Sequence, residues 1–229
     1  MIYKSYKGAY LIAEAGVNHN GHFALAKKLI EKAALCKANA IKFQIFNADD
    51  LALKNARMAN YQIKNLKKNI SQHKMLKSLE LRKEDYIKLQ KIAHQNKIDF
   101  LVSVFDEKSL DYFEKHIKSK IIKIPSGEIT NYFLLKKINL KKYKVILSTG
   151  MSNLAEIKDA INVISKKEVF EIKNNNIFIK NKKKYLYIKD RIFLLHCVSD
   201  YPTKEKYLNL NCIKTLKDQF KLVIGFSDH

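Results

Sequence analysis

Tryptophan is absent from this sequence, and cysteine, proline and glycine are scarce, with three, two and six copies in 229 residues. Cys36, Cys197 and Cys212 lie far apart and form no CxxC pair, which argues against a disulfide framework or a zinc ribbon. No apolar run approaches the roughly 18 residues of a membrane span, and Glu14 interrupts the N-terminal segment before a signal-like stretch develops. We therefore expect a reduced, cytoplasmic protein without membrane contact.

Arginine is also scarce, although the chain carries a formal net charge of +22. The arginines are Arg57, Arg82 and Arg191, and lysine supplies nearly all of the positive charge. Nucleic-acid recognition favours arginine for bidentate contacts, and single-strand binders interleave it with aromatic residues. The composition therefore indicates a lysine-rich solvated surface, with no nucleic acid as a partner. Such a surface would also attract anionic substrates.

Short apolar runs alternate with amphipathic segments along the whole chain. Because parallel strands need crossover connections, this alternation predicts an α/β fold with a parallel sheet. The predicted strands are 9–16, 40–46, 99–105, 120–127, 144–150, 192–199 and 222–229. The predicted helices are 23–38, 71–79, 84–96, 107–116, 131–138, 153–167 and 205–219. Asn153 and Glu156 predict a capping box at the start of one of them.

The strand pattern favours a (β/α)8 TIM barrel, because the strands are almost continuously apolar and no doubly-wound glycine fingerprint is present. Seven strands are visible and the last ends with the sequence, so we expect one barrel domain, residues 1–229, truncated after strand 7. Residues 168–190 interrupt the alternation. They predict a surface hairpin around residues 174–176 with no chemistry of its own, and a nucleic-acid role for this segment stays an alternative.

Polar side chains gather at the carboxyl ends of the predicted strands, the edge that carries the active site in a TIM barrel. Lysines with serine hydroxyls can hold a phosphate and a carboxylate, and glutamates supply general acid–base capacity. Histidines on adjacent strands, about 5 Å apart, can share one divalent metal ion with open positions for substrate. A lone histidine at a strand end is more often structural. The candidates are Glu14, Lys42, Gln44, Ser103, Lys123, Ser126, Glu128, Ser148, His196 and His229.

Eight segments together resemble the bacterial sialic acid synthase family, in which they occur in the same order. Each segment alone is weakly specific, but the ordered set covers essentially the whole chain. The segments are IAEAGVNHNG (12–21), IKFQIF (41–46), YQIKN (61–65), SQHKML (71–76), KIPSGEITN (123–131), ILSTGM (146–151), LLHCVSDYPT (194–203) and IGFSDH (224–229).

The resemblance implies a (β/α)8 barrel followed by a small antifreeze-like domain, in a domain-swapped homodimer that uses Mn²⁺ or Mg²⁺. Such enzymes join phosphoenolpyruvate to N-acetylmannosamine and release N-acetylneuraminate and phosphate. By motif, phosphoenolpyruvate would be held by Lys42, Ser103, Lys123, Ser126 and Ser148. The metal would be bound by His196 and His229. Gln44 would approach the amino sugar, and Glu14 and Glu128 would handle water and proton transfers.

The sequence departs from the family pattern at several places. Val102-Ser103-Val104-Phe105 stands where Ser-Thr-Pro-Phe is usual, and Lys37 stands where a glycine is expected. In a left-handed conformation that lysine would cost about 1 kcal/mol. The antifreeze-like domain has no counterpart here, so a fragment or an inactive truncated product is expected.

Four other functions stay open at this point. The same motifs fit a legionaminate synthase acting on a diacetamido-trideoxy sugar, and pseudaminate synthases are a more distant sibling. Another phosphoenolpyruvate-using aldol-type barrel would act on sugar phosphates. A basic RNA-binding or regulatory remnant would show salt-sensitive nucleic-acid binding without phosphate release.

Overall fold

The computed structural model describes residues 8–59, 62–63 and 70–229. The chain divides into two compact units, Met1–Ser119 and Lys120–His229. Strands and helices alternate within each unit, and this confirms the predicted α/β class. Positions 61, 64 and 65 of the YQIKN segment lie outside the described residues, and the single domain spanning 1–229 stays a prediction.

The first unit has three parallel strands with β2 in the middle. β2 pairs in register with β1 on one side and β3 on the other. The strands are β1 (Ile12–Gly16), β2 (Ala40–Ile45) and β3 (Asp99–Val104). The helices are α1 (Phe23–Leu35), α2 (Ala48–Leu51), α3 (Gln72–Leu79), α4 (Lys83–Gln95) and α5 (Glu107–His116).

The second unit has four parallel strands in the order β4-β5-β8-β9, and a separate antiparallel hairpin of β6 and β7. The parallel strands are β4 (Ile121–Ile124), β5 (Lys144–Ser148), β8 (Ile192–Cys197) and β9 (Val223–Ser227). The hairpin strands are β6 (Phe170–Lys173) and β7 (Asn176–Ile179). The helices are α6 (Tyr132–Lys137), α7 (Leu154–Ser165), α8 (Lys182–Ile188) and α9 (Asn211–Phe220).

Most of the parallel strands are buried on both faces, as their continuous apolar sequences predicted. All four residues of β4 are buried, and in β2 only Gln44 is partly exposed. Two aromatic rings of the first unit, Phe43 and Phe100, are fully buried and stack with their centroids 5.4 Å apart. β1 and β9 are less buried, because each pairs with one neighbouring strand among the described residues. No helix in the described part of the chain is long and apolar enough to span a bilayer.

The predicted hairpin within 168–190 is confirmed, and its turn explains the run of asparagines. Asn174 and Asn175 have positive φ angles of 48° and 59°, which asparagine tolerates better than most residues. The side-chain oxygen of Asn162 in α7 accepts from the amides of Val169 (2.8 Å) and Phe170 (3.0 Å) and so fixes the entry to β6.

Three helix assignments need correction, whereas the capping box of Asn153 and Glu156 is confirmed. The short helix α2, capped by Asn47, was not predicted. The segment after the hairpin contains the unpredicted helix α8, whose start is capped by the Asn181 side chain accepting from the amide of Lys184 at 2.9 Å. The helix predicted over 205–219 was wrong at its start. A 3-10 turn at Glu205–Tyr207 is followed by Asn209 at φ 46°, and this left-handed residue interrupts the helix before Asn211.

Lys37 has a φ of 58°, so a lysine does occupy the left-handed position at the end of α1. We expect Lys37→Gly to raise the free energy of unfolding by about 0.5–1 kcal/mol, because glycine adopts this conformation without strain. Urea denaturation measures the change. The matched control is Lys28→Gly in the exposed middle of α1, which should lower the same free energy by about 1 kcal/mol. Equal destabilisation by both substitutions would contradict the expectation.

Candidate active site

Four of the candidate side chains come together at the carboxyl ends of the strands in the first unit. Glu14 pairs with Lys42 across β1 and β2, and Gln44 pairs with Ser103 across β2 and β3. Side chains two residues apart on a strand share a face, so Lys42 and Gln44 point to the same side of the sheet. The register therefore puts a carboxylate, an ammonium, an amide and a hydroxyl on one face.

The ammonium of Lys42 is the centre of this group. The Lys42 side chain is 8% exposed, whereas that of Glu14 is 48% exposed, and the two form an ion pair. The same Nζ lies 3.2 Å from the hydroxyl oxygen of Ser103, to which it donates. An ammonium removed from water needs such partners, because an uncompensated buried charge costs several kcal/mol. Glu14 reaches solvent, so the ion pair lies at the edge of the buried group.

Gly16 closes the end of β1 beside this group. It has a φ of +51°, and a Cβ built on it would lie 3.3 Å from Oε1 of Glu14 and 3.7 Å from Nε2 of Gln44. The distances show that the Glu14 carboxylate and the Gln44 amide both lie next to the Gly16 backbone. A side chain at position 16 would combine a strained backbone with a crowded carboxylate.

In the second unit, Lys123 and Ser148 share one face of the sheet. Lys123 pairs with Ile146, which precedes Ser148 by two residues on β5. Both Lys123 and Ser148 are buried, and the ammonium of Lys123 donates to the Ile124 carbonyl at 3.1 Å. The face therefore presents a buried cation and a buried hydroxyl, separated along the sheet by about 7 Å.

Ser126 and Glu128 follow β4 in a 3-10 turn, Ser126–Glu128. The Glu128 carboxylate accepts from the side-chain amide of Asn131 at 2.8 Å. Asn131 in turn caps α6 by accepting from the amide of Leu134 at 3.2 Å. Glu128 is thus held by the start of a helix, which restrains its carboxylate just beyond the strand end.

The two candidate metal-binding histidines are not a register pair, which corrects the spacing argument made from the sequence. His196 pairs with Phe226, and the two rings stack with centroids 5.9 Å apart. His229 lies three residues beyond Phe226, roughly 10 Å farther if the strand continued. The separation of about 5 Å applies only to paired residues, and the register that decides pairing is not visible in a sequence.

His196 also faces away from the serine on the neighbouring strand. Leu195 pairs with Ser148, so Leu195 and Ser148 share a face and His196, the next residue, points to the other one. The structure therefore brings together Lys123 and Ser148 on one face, and places His196 on the opposite face.

The ring nitrogens of both histidines are nevertheless arranged as metal ligands require. Nε2 of His196 lies 2.7 Å from the Leu208 carbonyl, and Nδ1 of His229 lies 2.5 Å from the Val198 carbonyl. A carbonyl only accepts, so each of these nitrogens carries the proton and the other nitrogen of each ring keeps a lone pair. Backbone carbonyls orient metal-binding imidazoles in the same manner.

The donor set fits a metal that completes its coordination with water or substrate. Among the described residues no cluster of three or more histidine, cysteine, aspartate or glutamate side chains is arranged to hold a metal. Two neutral imidazoles would leave positions open, as catalytic sites do and structural sites do not. A shared site for His196 and His229 stays a prediction.

Tyr201 is a site residue that was not assigned from the sequence, although it lies in the LLHCVSDYPT segment. Its ring stacks on that of His229 with centroids 4.2 Å apart, and its hydroxyl lies 3.2 Å from Nε2 of His229. The hydroxyl can donate to the nitrogen that keeps its lone pair. In the sequence, the signal for Tyr201 was its position within the LLHCVSDYPT segment. That position does not reveal that its ring stacks on the ring of His229.

His19 is the other residue that was not assigned, and it lies in the IAEAGVNHNG segment. It is 1% exposed, and its Nδ1 accepts from the Gly21 amide at 3.1 Å. Burial lowers the pKa of His19, a nearby Gly16 carbonyl partly opposes the shift, and His22 adds to it. His19 is therefore a neutral imidazole at neutral pH, packed 5.9 Å from the ring of Phe43.

A sequence profile described as the NeuB family matches residues 29–229. The N,N'-diacetyllegionaminic acid synthase of Campylobacter jejuni is 44% identical over 223 residues, which are 97% of this chain and 61% of that protein. The enzyme of the same name from Legionella pneumophila is 40% identical over 220 residues, covering 96% of this chain and 57% of its own length. The chain thus spans less than two thirds of the length of these relatives.

Solved structures agree with the sequence comparisons. The N-acetylneuraminic acid (sialic acid) synthetase of Leptospira borgpetersenii superposes with a TM-score of 0.73 at 34% identity, over 96% of this chain and 65% of that one. The spore coat polysaccharide biosynthesis protein SpsE of Bacillus subtilis superposes with a TM-score of 0.72 at 31% identity, over 100% of this chain and 56% of that one.

We expect the buried His19 to make the protein less stable as the pH falls below about 6.5, the ordinary pKa of histidine. The unfolded chain then binds a proton that the native state resists, so the free energy of unfolding decreases with falling pH. His19→Gln removes this contribution and should give a shallower decrease between about pH 7.5 and 5.5, measured by urea denaturation. His94→Gln, at an exposed histidine of α4, serves as the control and should keep the original slope. Identical slopes for both variants would refute the assignment.

Proposed function

The chain belongs to the NeuB family, and we propose from this that it is part of a synthase that condenses phosphoenolpyruvate with an N-acetylated amino sugar. The products are a nine-carbon sugar acid and phosphate. The buried ammonium of Lys42, bonded to Ser103 and paired with the solvent-reaching Glu14, is the observation that carries the proposal. Because the chain spans only part of its relatives' length, activity, substrates and partners are all proposals here.

The proposal includes the architecture that the family resemblance implied. The parallel strands would belong to a (β/α)8 barrel, and the functional enzyme would be a homodimer that also needs an antifreeze-like domain. The support for the barrel is the parallel pairing within each unit and the order of strands and helices, in which a helix follows nearly every parallel strand.

Anion binding is the role we assign to the lysines and serines. In the first unit, Lys42 and Ser103 are already hydrogen-bonded to each other and can turn toward an anionic oxygen. In the second unit, Lys123, Ser126 and Ser148 offer a buried cation and hydroxyls for the same class of ligand. Charge-assisted hydrogen bonds of this type are roughly twice as strong as neutral ones, which suits a substrate with both a phosphate and a carboxylate.

The proposed reaction forms one carbon–carbon bond and breaks one carbon–oxygen bond. C3 of phosphoenolpyruvate attacks the aldehyde carbon of the open-chain sugar, water adds to the resulting cation at C2, and phosphate leaves with its bridging oxygen. Glu14 is assigned to accept the proton of the attacking water, and Glu128 to a second proton transfer. The Gln44 amide, beside Gly16 and Glu14, is assigned to the sugar.

A divalent ion, Mn²⁺ or Mg²⁺, is proposed as the cofactor, held by His196 and His229 at the carboxyl ends of β8 and β9. The proposal requires that side chains from both faces of the sheet meet at this edge. When bound, it would polarise the aldehyde of the sugar and lower the barrier by several kcal/mol. The tautomers set by the Leu208 and Val198 carbonyls support this assignment.

The identity of the sugar is the second part of the proposal. The sequence pattern first favoured N-acetylmannosamine, with the diacetamido-trideoxy sugar of legionaminate synthesis as the alternative. The two relatives at 40% and 44% identity are both named for N,N'-diacetyllegionaminic acid, whereas the human and Drosophila N-acetylneuraminate-9-phosphate synthases are 26% and 31% identical. We therefore propose the diacetamido-trideoxy sugar as the preferred substrate.

Phosphate release from phosphoenolpyruvate, measured on the complete synthase of which this chain is proposed to be part, tests the reaction and the sugar together. We expect release only when a sugar and Mn²⁺ are both present, with kcat/KM about tenfold higher for the diacetamido-trideoxy sugar than for N-acetylmannosamine, in line with the roughly 1 kcal/mol that one net hydrogen bond contributes. EDTA should abolish the activity and added Mn²⁺ should restore it. Release with sugar phosphates instead, or release indifferent to EDTA, would contradict the proposal.

Substitution of Lys42 tests the anion-binding role. We expect Lys42→Met to lower kcat/KM for phosphoenolpyruvate by about 10- to 100-fold, mainly through KM, because a hydrogen bond to a charged group contributes about 1.5–3 kcal/mol. Lys28→Met, at an exposed position, is the control and should leave both constants unchanged. If Lys42→Met keeps the original KM while retaining a cooperative unfolding transition, Lys42 does not bind this substrate.

A further inference from the structure

A basic depression lies in the second unit, away from the residues of that unit that are proposed for catalysis. Its volume is about 560 Å³, a size that accommodates small organic ligands. Four lysines and one arginine surround it, together with a tyrosine. The lining residues are Lys120, Lys141, Lys142, Tyr143, Lys144 and Arg191.

The depression is placed at the amino ends of three parallel strands. Lys120 immediately precedes β4, Lys144 begins β5, and Arg191 immediately precedes β8. Ser148, at the carboxyl end of β5, is four residues from Lys144, or about 13 Å along the strand. The basic depression and the polar strand ends of the second unit are therefore at opposite edges of its sheet.

The positive charges of this depression are not neutralised by neighbouring acids. In the part of the chain that the structure describes, none of the five cationic side chains forms an ion pair with a carboxylate. Like charges placed this close repel one another, and a bound anion would relieve the repulsion. Five of the 44 lysines and arginines of the chain thus gather here without local compensation.

A second depression, in the first unit, differs in that two of its cationic side chains have acidic partners. It has a volume of about 470 Å³ and includes Lys77 and His73 in its lining. There Lys77 pairs with Asp49 at 3.1 Å and with Glu80 at 3.0 Å, and His73 pairs with Asp49 at 2.8 Å. In the second-unit depression, by contrast, none of the five cations has such a partner among the described residues.

Several contacts hold the cations of the second-unit depression in place. The Arg191 guanidinium donates to the Leu140 carbonyl at 3.0 Å and lies over the Tyr187 ring at 4.8 Å, while the Tyr187 hydroxyl donates to the same carbonyl. Lys144 is fixed at its backbone, since its amide donates to the Lys120 carbonyl at 2.8 Å. Its ammonium lies 5.8 Å from the centre of the Phe193 ring. A guanidinium oriented in advance loses less freedom when it binds an anion.

We propose that this depression binds a small molecule that carries two or more linked phosphate groups, such as a nucleoside diphosphate or triphosphate. Five cations without acidic partners fit a ligand of several negative charges better than a single phosphate. Burial lowers the pKa of nearby Lys184, and the positive charges of Lys167, Lys141 and Lys166 lower it further, which reflects the same excess of cations. The site is independent of the synthase reaction proposed above.

Titration calorimetry with inorganic pyrophosphate, then with ADP and ATP, at constant ionic strength tests the proposal. We expect saturable binding of one molecule per chain, weakened about tenfold or more in Lys141→Gln/Lys142→Gln. Both of these lysines are exposed, so the double variant should fold normally. The matched control is Lys214→Gln/Lys217→Gln on the exposed face of α9, which removes the same charge and should change affinity less than about twofold.

The other outcomes of the titration show which part of the ligand is recognised and whether the anion binds elsewhere on the protein. Nucleotides binding more tightly than pyrophosphate would identify the base as part of the ligand, and equal affinities would identify the phosphates alone; both results support the proposal. Displacement of pyrophosphate by phosphoenolpyruvate would overturn it by placing the anion among the catalytic lysines. Equal weakening in both double variants, or binding only of a single-stranded RNA, would overturn it by showing a diffuse basic surface.

Discussion

The burial of lysine ammonium groups inside parallel strands is the constraint on which the candidate site depends. An ammonium taken out of water must be paired or hydrogen-bonded, or it destabilises the fold by several kcal/mol. Lys42 meets this requirement with Glu14 and Ser103, and the partners come from the two strands that flank β2. The register of three strands is therefore needed to keep one cation buried. An apolar residue at position 42 would need neither partner, so the sheet itself does not require the lysine.

The sequence predicted the elements of the fold well, because each carried a local signal. Apolar β-branched runs marked the seven parallel strands, and the asparagines at 174–176 marked the hairpin turn that their left-handed φ angles confirm. The left-handed Lys37 was also anticipated, from the position of a family glycine. Helices α2 and α8 and the interruption at Asn209 were missed. Each depends on a different asparagine, Asn47, Asn181 or Asn209, whose conformation is decided by its surroundings.

The residues of the candidate site could be predicted from the sequence, but the distances and contacts between their side chains could not. Lys42 and Gln44 were expected to share a face because they are two residues apart, and the register agrees. The spacing of His196 and His229 could not be predicted from the sequence, because pairing between strands depends on register, which no local pattern in β8 or β9 reveals. The stacking of Tyr201 on His229 was invisible for the same reason: it joins a loop to a strand end 28 residues away.

The oriented imidazoles show why such a site can be preserved while its surroundings change. His196 and His229 donate to the backbone carbonyls of Leu208 and Val198, and not to side chains. A carbonyl is present whatever residue occupies the position, so substitutions at 198 and 208 leave the tautomers intact as long as the loops keep their path. The tautomers of the two histidines then depend on the conformation of the loops. The loop that carries Leu208 is constrained by the left-handed conformation of the neighbouring Asn209. The chemistry of the two rings thus depends more on the shape of these loops than on the identity of their residues.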